Sequence, residues 1–215
     1  MRWLSRVLVP LLFCAVCAPL ASAAVLVAES TTNNGGSPNW AIFFDLSASG
    51  GQALNVTDLT TASTAAANAP FTVEVFIRTG SALGGPVGSG SGSSSAGWTS
   101  LGTAPATQGA TANGISQTIN IPDISVPASG TVGVAVLFTG AGPRYLGTGS
   151  PPYSNFNDGN LQLVTGDART APFTTGGLWF ASRALTGSLT YSAVPEPASL
   201  SSVAIGVCLG MRRRR

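Results

Sequence analysis

The strongest constraint on the fold is an eight-residue run in which apolar and polar side chains alternate, Phe71-Thr-Val-Glu-Val-Phe-Ile-Arg78. Successive side chains of a β-strand point to opposite faces of its sheet, so this spacing places Val73, Val75 and Ile77 on one face together with Phe71. The run therefore predicts a β-strand with one face in a hydrophobic core.

Nine other short runs are rich in apolar, β-branched or aromatic residues and predict further strands at 25–28, 40–46, 54–59, 98–102, 115–121, 131–139, 161–165, 178–182 and 185–191. The run 131–139 is almost continuously apolar, which is typical of a central strand that is buried on both faces. In 185–191 the residues Leu185, Leu189 and Tyr191 share one face, with Gly187 between them.

About ten short strands with turn residues between them indicate an all-β fold, a β-sandwich or jelly roll. No segment of this central region has a convincing helical period, and 62–69 is the one candidate for a short helix, with a loop as the equal alternative. The Gly- and Ser-rich segment 84–97 predicts a flexible loop or hairpin tip, because strand-like sequence resumes directly after it.

The charges are distributed unevenly along the chain. All ten basic residues are arginines, and six of them lie at the two ends; between 24 and 193 there are four arginines against seven acidic residues, a net charge of −3. This acidic balance argues against nucleic-acid binding. The sequence has no histidine or lysine, so a serine nucleophile lacks its usual base and no catalytic residue is predicted. We also predict no metal site and no cofactor.

The first 23 residues have the three parts of a secretory signal: a short positive start at 1–6, an apolar run at 7–20, and the small-residue site Ala21-Ser22-Ala23. We expect cleavage after Ala23, with Ala24 as the alternative. Two of the three cysteines lie in this segment and the third is Cys208, so the region 24–193 has no disulfide and depends on its core.

The last 22 residues consist of a rigid proline-containing segment, an apolar stretch and a cluster of arginines that could stop translocation. Val194-Pro-Glu-Pro197 fixes an extended backbone, 198–211 is apolar, and Arg212, Arg213, Arg214 and Arg215 fit the positive-inside rule. A helix over 198–211 rises about 21 Å, less than the roughly 30 Å of a bilayer core. Snorkelling arginines can offset this mismatch, so both a membrane-inserted tail and a tail that does not insert remain open.

This order of parts resembles the C-terminal sorting signal of PEP-CTERM proteins, with the motif at Pro195, Glu196 and Pro197. The resemblance covers about a tenth of the chain. It implies export through the Sec translocon, transient anchoring in the inner membrane of a Gram-negative bacterium, and processing near the motif by an exosortase. The protein would then reach the cell surface or the extracellular polymer. The apolar stretch is shorter and more polar than is usual for the family.

Three regions follow from these patterns: a signal peptide at 1–23, a β-sandwich ectodomain at 24–193, which we call the body, and a sorting tail at 194–215. We expect the body to be a structural or interaction module and not an enzyme. The alternative is a module that binds carbohydrate or exopolysaccharide through an exposed loop carrying Arg144, Tyr145, Tyr153 and Phe156. Asp158-Gly159 predicts an ordinary turn, with a calcium site as the weaker alternative.

Overall fold

A computed structural model describes residues 22–148 and 153–195, and these residues form an all-β structure. Its strands in chain order are β1 Ala24–Val27, β2 Asn34–Gly35, β3 Ala41–Ala48, β4 Leu54–Thr61, β5 Pro70–Thr79, β6 Thr99–Thr107, β7 Ile119–Val126, β8 Val132–Thr139, β9 Arg144–Gly147, β10 Ser154–Asn157, β11 Leu161–Arg169, β12 Trp179–Phe180, β13 Arg183–Leu185 and β14 Gly187–Ala193. Within the described ranges the only helical element is a single 3-10 turn at Ser91–Ser93.

The strands form three antiparallel sheets. A four-stranded sheet has the order β1-β14-β4-β7, and a seven-stranded sheet has the order β10-β11-β3-β8-β5-β6, with β12 paired to β11. A small third sheet has the order β13-β9-β2. The prediction of an all-β fold is confirmed.

One hydrophobic core joins the two larger sheets. Leu59 of β4 and Leu189 of β14 come from the four-stranded sheet, and Phe44, Val75 and Val136 come from β3, β5 and β8 of the seven-stranded sheet. Each of these side chains is at most 1 % exposed. Two sheets that bury their inner faces against each other give the body a sandwich-like architecture.

The two clearest sequence patterns have the structure that they predicted. In β5, Phe71, Val73 and Val75 are buried and the residues between them are only partly buried. In β8, seven of the eight residues from Val132 to Thr139 are half-buried or buried, and the strand lies between β3 and β5 in the middle of its sheet. The alternation of apolar and polar residues therefore identified the half-buried strand β5, and the continuous apolar run identified the central strand β8.

Other predictions needed correction. The run 185–191 is not one strand, because the chain changes sheet at Thr186: Arg183–Leu185 belongs to the three-stranded sheet and Gly187–Ala193 to the four-stranded one. Strand β7 begins at Ile119, four residues later than predicted, and Ile115 is 37 % exposed. The segment 62–69 is a loop with isolated bridges and not a helix.

The Gly- and Ser-rich segment is an ordered part of the fold. It connects β5 to β6, which are antiparallel neighbours, so the hairpin prediction is confirmed. It is not a free tip, because residues 80–98, which we call the cover segment, fold over the outer face of the seven-stranded sheet. There Ala82 packs with Phe43 and Ala135, and Trp98 and Phe173 complete a second, smaller apolar cluster.

Candidate functional site

The two ends of the body leave it side by side. Strand β1 begins at Ala24 and runs antiparallel to β14, which ends at Ala193, and in the register Ala24 lies opposite Tyr191. In an antiparallel pair the start of one strand lies beside the end of the other. The chain therefore enters and leaves the body at one end of the four-stranded sheet, which we call the junction end.

Both junctions are accessible. Ser22 and Ala23, which precede β1, are exposed. On the other side, the Val194 N–H donates to the Ala53 carbonyl oxygen over 2.8 Å, and this is the last backbone hydrogen bond of β14 with its flank. Val194 is 41 % exposed, and Pro195, the first residue of the predicted motif, is also exposed.

The rest of the predicted sorting motif and stop lies outside the described residues. This holds for Glu196, Pro197, Arg212, Arg213, Arg214 and Arg215. The apolar parts of the predicted signal peptide and of the sorting tail also lie outside them. Within the described ranges there is no helix long and apolar enough to cross a membrane.

A side-chain hydrogen bond fastens the junction end to a neighbouring turn. The Tyr191 hydroxyl donates to Asp158 Oδ2 over 2.7 Å, while Asp158 Oδ1 accepts from the backbone N–H groups of Asn160 and Leu161 at 3.0 Å each. Burial, together with the neighbouring Asp158 carboxylate, raises the pKa of Tyr191 to about 12. Burial opposes ionisation of Asp158, but the three donors outweigh it and leave its pKa below the ordinary value.

This geometry bears on the two interpretations of Asp158-Gly159. Asp158 caps the turn between β10 and β11, and both of its oxygens accept hydrogen bonds from the protein. The turn prediction is confirmed. Among the described residues no group of three cysteine, aspartate or glutamate side chains is placed to hold a metal ion.

The predicted ligand loop is not a set of exposed rings. Arg144 and Tyr145 belong to β9, which pairs with β2 on one side and with β13 on the other. Tyr145 is 2 % exposed and packs in the main core, with the Arg183 guanidinium 5.8 Å from its ring centroid. The expectation of an exposed Tyr145 is wrong, because two flanking strands turn this ring inward.

The other two predicted ligand residues are also partly enclosed. Tyr153 is half-buried, and burial together with the nearby Asp167 carboxylate raises the pKa of its hydroxyl. Phe156 lies in β10 at the edge of the seven-stranded sheet, half-buried against the main core. Arg144 is half-buried and its Nε donates to Thr32 Oγ1 over 3.2 Å. Arg144 and Tyr145 therefore belong to one sheet and Phe156 to another, while Tyr153 lies outside the strands.

A buried group of charges was missed by the sequence analysis. Asp45 of β3 and Asp167 and Arg169 of β11 lie on the face beneath the cover segment and are 8 %, 1 % and 2 % exposed. The strands are neighbours, with Asp167 opposite Phe43 in the register. Three charged side chains on adjacent strands thus lie where the cover segment excludes water.

These charges hold the cover segment mainly by its backbone. Asp45 accepts from the Ala82 N–H over 2.6 Å and from the Ser81 hydroxyl over 2.5 Å, and Asp167 accepts from the Gly84 N–H over 2.7 Å. Arg169 donates to the Gly85 carbonyl oxygen and to the Ser93 hydroxyl oxygen of the segment. Each of these hydrogen bonds replaces one that the charged group would make with water. Because bonds to a charged group are strong, they fix a Gly- and Ser-rich segment that would otherwise be flexible.

Burial dominates the protonation of this group. It raises the pKa of Asp45 although the Ser81 and Ala82 donors act in the opposite direction, and it raises the pKa of Asp167 against the Gly84 donor. It lowers the pKa of Arg169, partly offset by the Asp167 carboxylate. These three residues therefore fasten the cover segment to the sheet, and the strength of that attachment depends on whether their side chains are ionised.

The described residues define an all-β body whose first and last strands, β1 and β14, are paired with each other. The sequence matches no protein-family profile and no curated protein.

Proposed function

We propose that the protein is exported through the Sec translocon, is held transiently in the inner membrane by its sorting tail, and is processed there by an exosortase as a PEP-CTERM protein. The body then remains at the cell surface or in the extracellular matrix. The observation that carries the proposal is the sequence of the tail, in which Val194-Pro-Glu-Pro197, an apolar stretch and four arginines follow one another at the end of the chain.

The geometry of the body supports this order of events. The N-terminal and C-terminal junctions lie beside each other, with Ala24 opposite Tyr191. A body that is tethered through both junctions during export could therefore rest on one membrane surface without unfolding β1 or β14. Pro195 is exposed directly after the last hydrogen-bonded residue, Val194, so a membrane enzyme could approach the motif without opening the sheet.

We further propose that the body is a two-sheet sandwich of the jelly-roll type that acts as a structural or interaction module and not as an enzyme. The absence of histidine and lysine from the sequence, and the confinement of cysteine to the two terminal regions, support this part of the proposal. The buried charges Asp45, Asp167 and Arg169 have partners in the cover segment, which gives them a role in stability.

The test replaces the motif. The triple substitution Pro195→Ala/Glu196→Ala/Pro197→Ala is introduced into the full chain in the producing bacterium, and the protein is followed by cell fractionation and by gel mobility. We expect the wild type in the surface or medium fraction as a shortened form, and the variant in the inner membrane at the length left by signal peptidase.

The matched control changes two tail residues outside the motif, Ser201→Ala/Ser202→Ala, which keeps the tail apolar. We expect this control to fractionate and migrate as the wild type does. If the motif variant also reaches the surface with an unchanged shift in mobility, the tail is not an exosortase signal.

A further inference from the structure

The sequence contains two Asn-Gly pairs, Asn34-Gly35 and Asn113-Gly114, and both asparagines are exposed. An asparagine that precedes glycine can lose its side-chain amide, because the backbone nitrogen of the next residue can attack the side-chain carbonyl carbon. Glycine has no side chain to hinder that approach. The position of the glycine nitrogen in the fold therefore decides which of the two pairs is the more reactive.

In the first pair the glycine nitrogen lies against the asparagine side chain. The Gly35 N–H donates to Asn34 Oδ1 over 2.8 Å, and this hydrogen bond is exposed to solvent. Because Oδ1 is bonded to Cγ, the hydrogen bond also keeps Cγ close to the Gly35 nitrogen, and these are the two atoms that must join. Groups that are already held together react faster than the same groups in a flexible chain, since part of the entropy cost has been met by folding.

In the second pair the glycine nitrogen is engaged elsewhere. The Gly114 N–H donates to the Thr111 carbonyl oxygen over 3.2 Å, and Asn113 has a left-handed backbone with φ of +60°. Before the Gly114 nitrogen could attack Asn113 Cγ, it would have to give up this backbone hydrogen bond. The structure thus distinguishes two pairs that are alike in sequence.

Strand β2, which contains Asn34 and Gly35, offers little resistance to the movement that the attack requires. It has two residues and pairs with β9 alone, at the edge of the three-stranded sheet. Short segments with few neighbours open locally at a low free-energy cost. A Cβ at Gly35 would lie 3.2 Å from Arg144 Cγ and 3.3 Å from the Pro143 carbonyl oxygen, so only glycine leaves this nitrogen free to turn.

We propose that Asn34 is a site of spontaneous deamidation, with the Gly35 nitrogen as the internal nucleophile. The nitrogen loses its proton to hydroxide and bonds to Asn34 Cγ, the Cγ–Nδ2 bond breaks, and the amide nitrogen takes a proton from water and leaves as ammonia. The resulting succinimide then adds one water molecule. Opening of the new N–Cγ bond gives aspartate, and opening of the original peptide bond gives isoaspartate. The net reaction consumes one water, releases one ammonia and needs no enzyme.

The isoaspartate product alters the pairing of β2. Its main chain is longer by one carbon, so the register of Asn34 opposite Tyr145 and Gly35 opposite Arg144 can no longer be kept. The neighbouring Asn33 side chain holds β9 by two bonds to Gly147, one from Nδ2 to the carbonyl oxygen over 2.8 Å and one from the N–H to Oδ1 over 2.7 Å. We expect these bonds to weaken. The reaction involves neither terminal segment, so this proposal and the sorting proposal can fail separately.

The test is incubation of the purified full-length protein in detergent at mildly alkaline pH, once folded and once in urea. Proteolysis and mass spectrometry then separate asparagine, aspartate and isoaspartate at each pair. We expect Asn34 to convert about tenfold faster than Asn113 in the folded protein, and the two rates to become similar in urea. Conversion of Asn34 no faster than that of Asn113 in the folded protein, or the same ratio of rates in both states, would overturn the proposal.

Two variants separate the reaction from its consequence. Asn34→Gln keeps a side-chain amide but lengthens the ring that the attack must close, so we expect conversion at this position to stop and conversion of Asn113 to be unchanged. Asn34→Asp supplies the normal product without the extra main-chain carbon, and amide hydrogen exchange in β9 should match that of the unmodified protein. The isoaspartate form should exchange faster there. Undiminished conversion in Asn34→Gln, or unchanged exchange in the isoaspartate form, contradicts the assignment.

Discussion

Arg169 and Ser93, 76 residues apart in the chain, are joined inside the protein: the Arg169 Nη1 group donates to Ser93 Oγ over 3.0 Å, and the two residues are 2 % and 4 % exposed. The bond connects strand β11 to the 3-10 turn of the cover segment. The Gly- and Ser-rich cover segment is held on the sheet because the buried Arg169 guanidinium donates hydrogen bonds to its carbonyl and hydroxyl oxygens.

Replacing Arg169 should loosen the attachment of the cover segment to the sheet. Arg169→Met keeps most of the side-chain volume but removes the charged donor to the Gly85 carbonyl oxygen and to Ser93 Oγ, which keeps its bond from the Gly88 N–H. A hydrogen bond to a charged group contributes roughly 1.5–3 kcal/mol, so we expect the loss of both to lower the free energy of unfolding by about 3 kcal/mol. Urea denaturation measures this loss, and amide hydrogen exchange should rise in residues 80–93. A matched Arg144→Met variant should lose less than about 1 kcal/mol. Equal losses of stability in both variants would contradict the role of Arg169 in holding the cover segment.

Stability should depend on pH in the direction set by Asp45 and Asp167. Burial raises the pKa of both carboxyls above the ordinary value of 3.8, so the native state binds these protons more tightly than the unfolded chain does. Their contribution to stability is therefore fully present below 3.8 and is lost as the pH rises through their native pKa values. We expect the melting temperature to fall between pH 4.5 and pH 7, and the fall to become smaller in Asp167→Asn. A melting temperature that rises over this interval would contradict the assigned directions.

The hydroxyl of Tyr191 should contribute measurably to the junction end. Tyr191→Phe removes the donor to the Asp158 carboxylate and keeps the ring in the core. A hydrogen bond to a charged group contributes roughly 1.5–3 kcal/mol, and this one is partly exposed at Asp158, so we expect a loss of about 1.5 kcal/mol in urea denaturation. The pKa of Asp158 should also rise toward its ordinary value, which carboxyl NMR titration measures. An unchanged Asp158 pKa in the variant would show that the hydroxyl does not hold this carboxylate.

Gly187 should tolerate no side chain. Its φ is +141°, and a Cβ there would overlap the carbonyl oxygen of Thr60 on the paired strand β4. Overpacking and backbone strain each cost roughly 1–3 kcal/mol, so Gly187→Ala should lose about 3 kcal/mol or more. Gly51 also has a positive φ, +74°, but open space around an added carbon, so the control Gly51→Ala should lose only about 1 kcal/mol. Similar melting temperatures in the two variants would rule out the close approach to Thr60.

The sequence predicted those parts of the fold that local patterns determine. Strand β5 was identified by its period of two, and β8 by its continuous apolar run. Strands β9 and β10 were missed because Arg-Tyr-Leu-Gly and Ser-Asn-Phe-Asn have no clear alternation and gain their strand form from partners distant in the chain. The end of β13 and the start of β14 were joined for the same reason, since a change of sheet at Thr186 leaves no local mark.

The buried charges were harder to predict, because their burial depends on a segment about 35 residues away from Asp45 and about 80 away from Asp167. One local signal was present. Asp45 is the only charged residue in Ala41-Ile-Phe-Phe-Asp-Leu46, where all six residues are buried. An acid inside such an apolar strand needs donors on the covering side, and a Gly- and Ser-rich segment with free N–H groups supplies them. Exposure of Tyr145 was predicted from neighbouring glycine and proline residues, which say little about burial.

Export followed by removal of both terminal segments is tested most directly by the intact mass of the protein recovered from the surface or medium of the producing cells. We expect a chain that begins at Ala24, or one residue later, and ends near the Pro195-Glu196-Pro197 motif without Arg212 to Arg215. A recovered mass that still includes Met1 or the terminal arginines would contradict it.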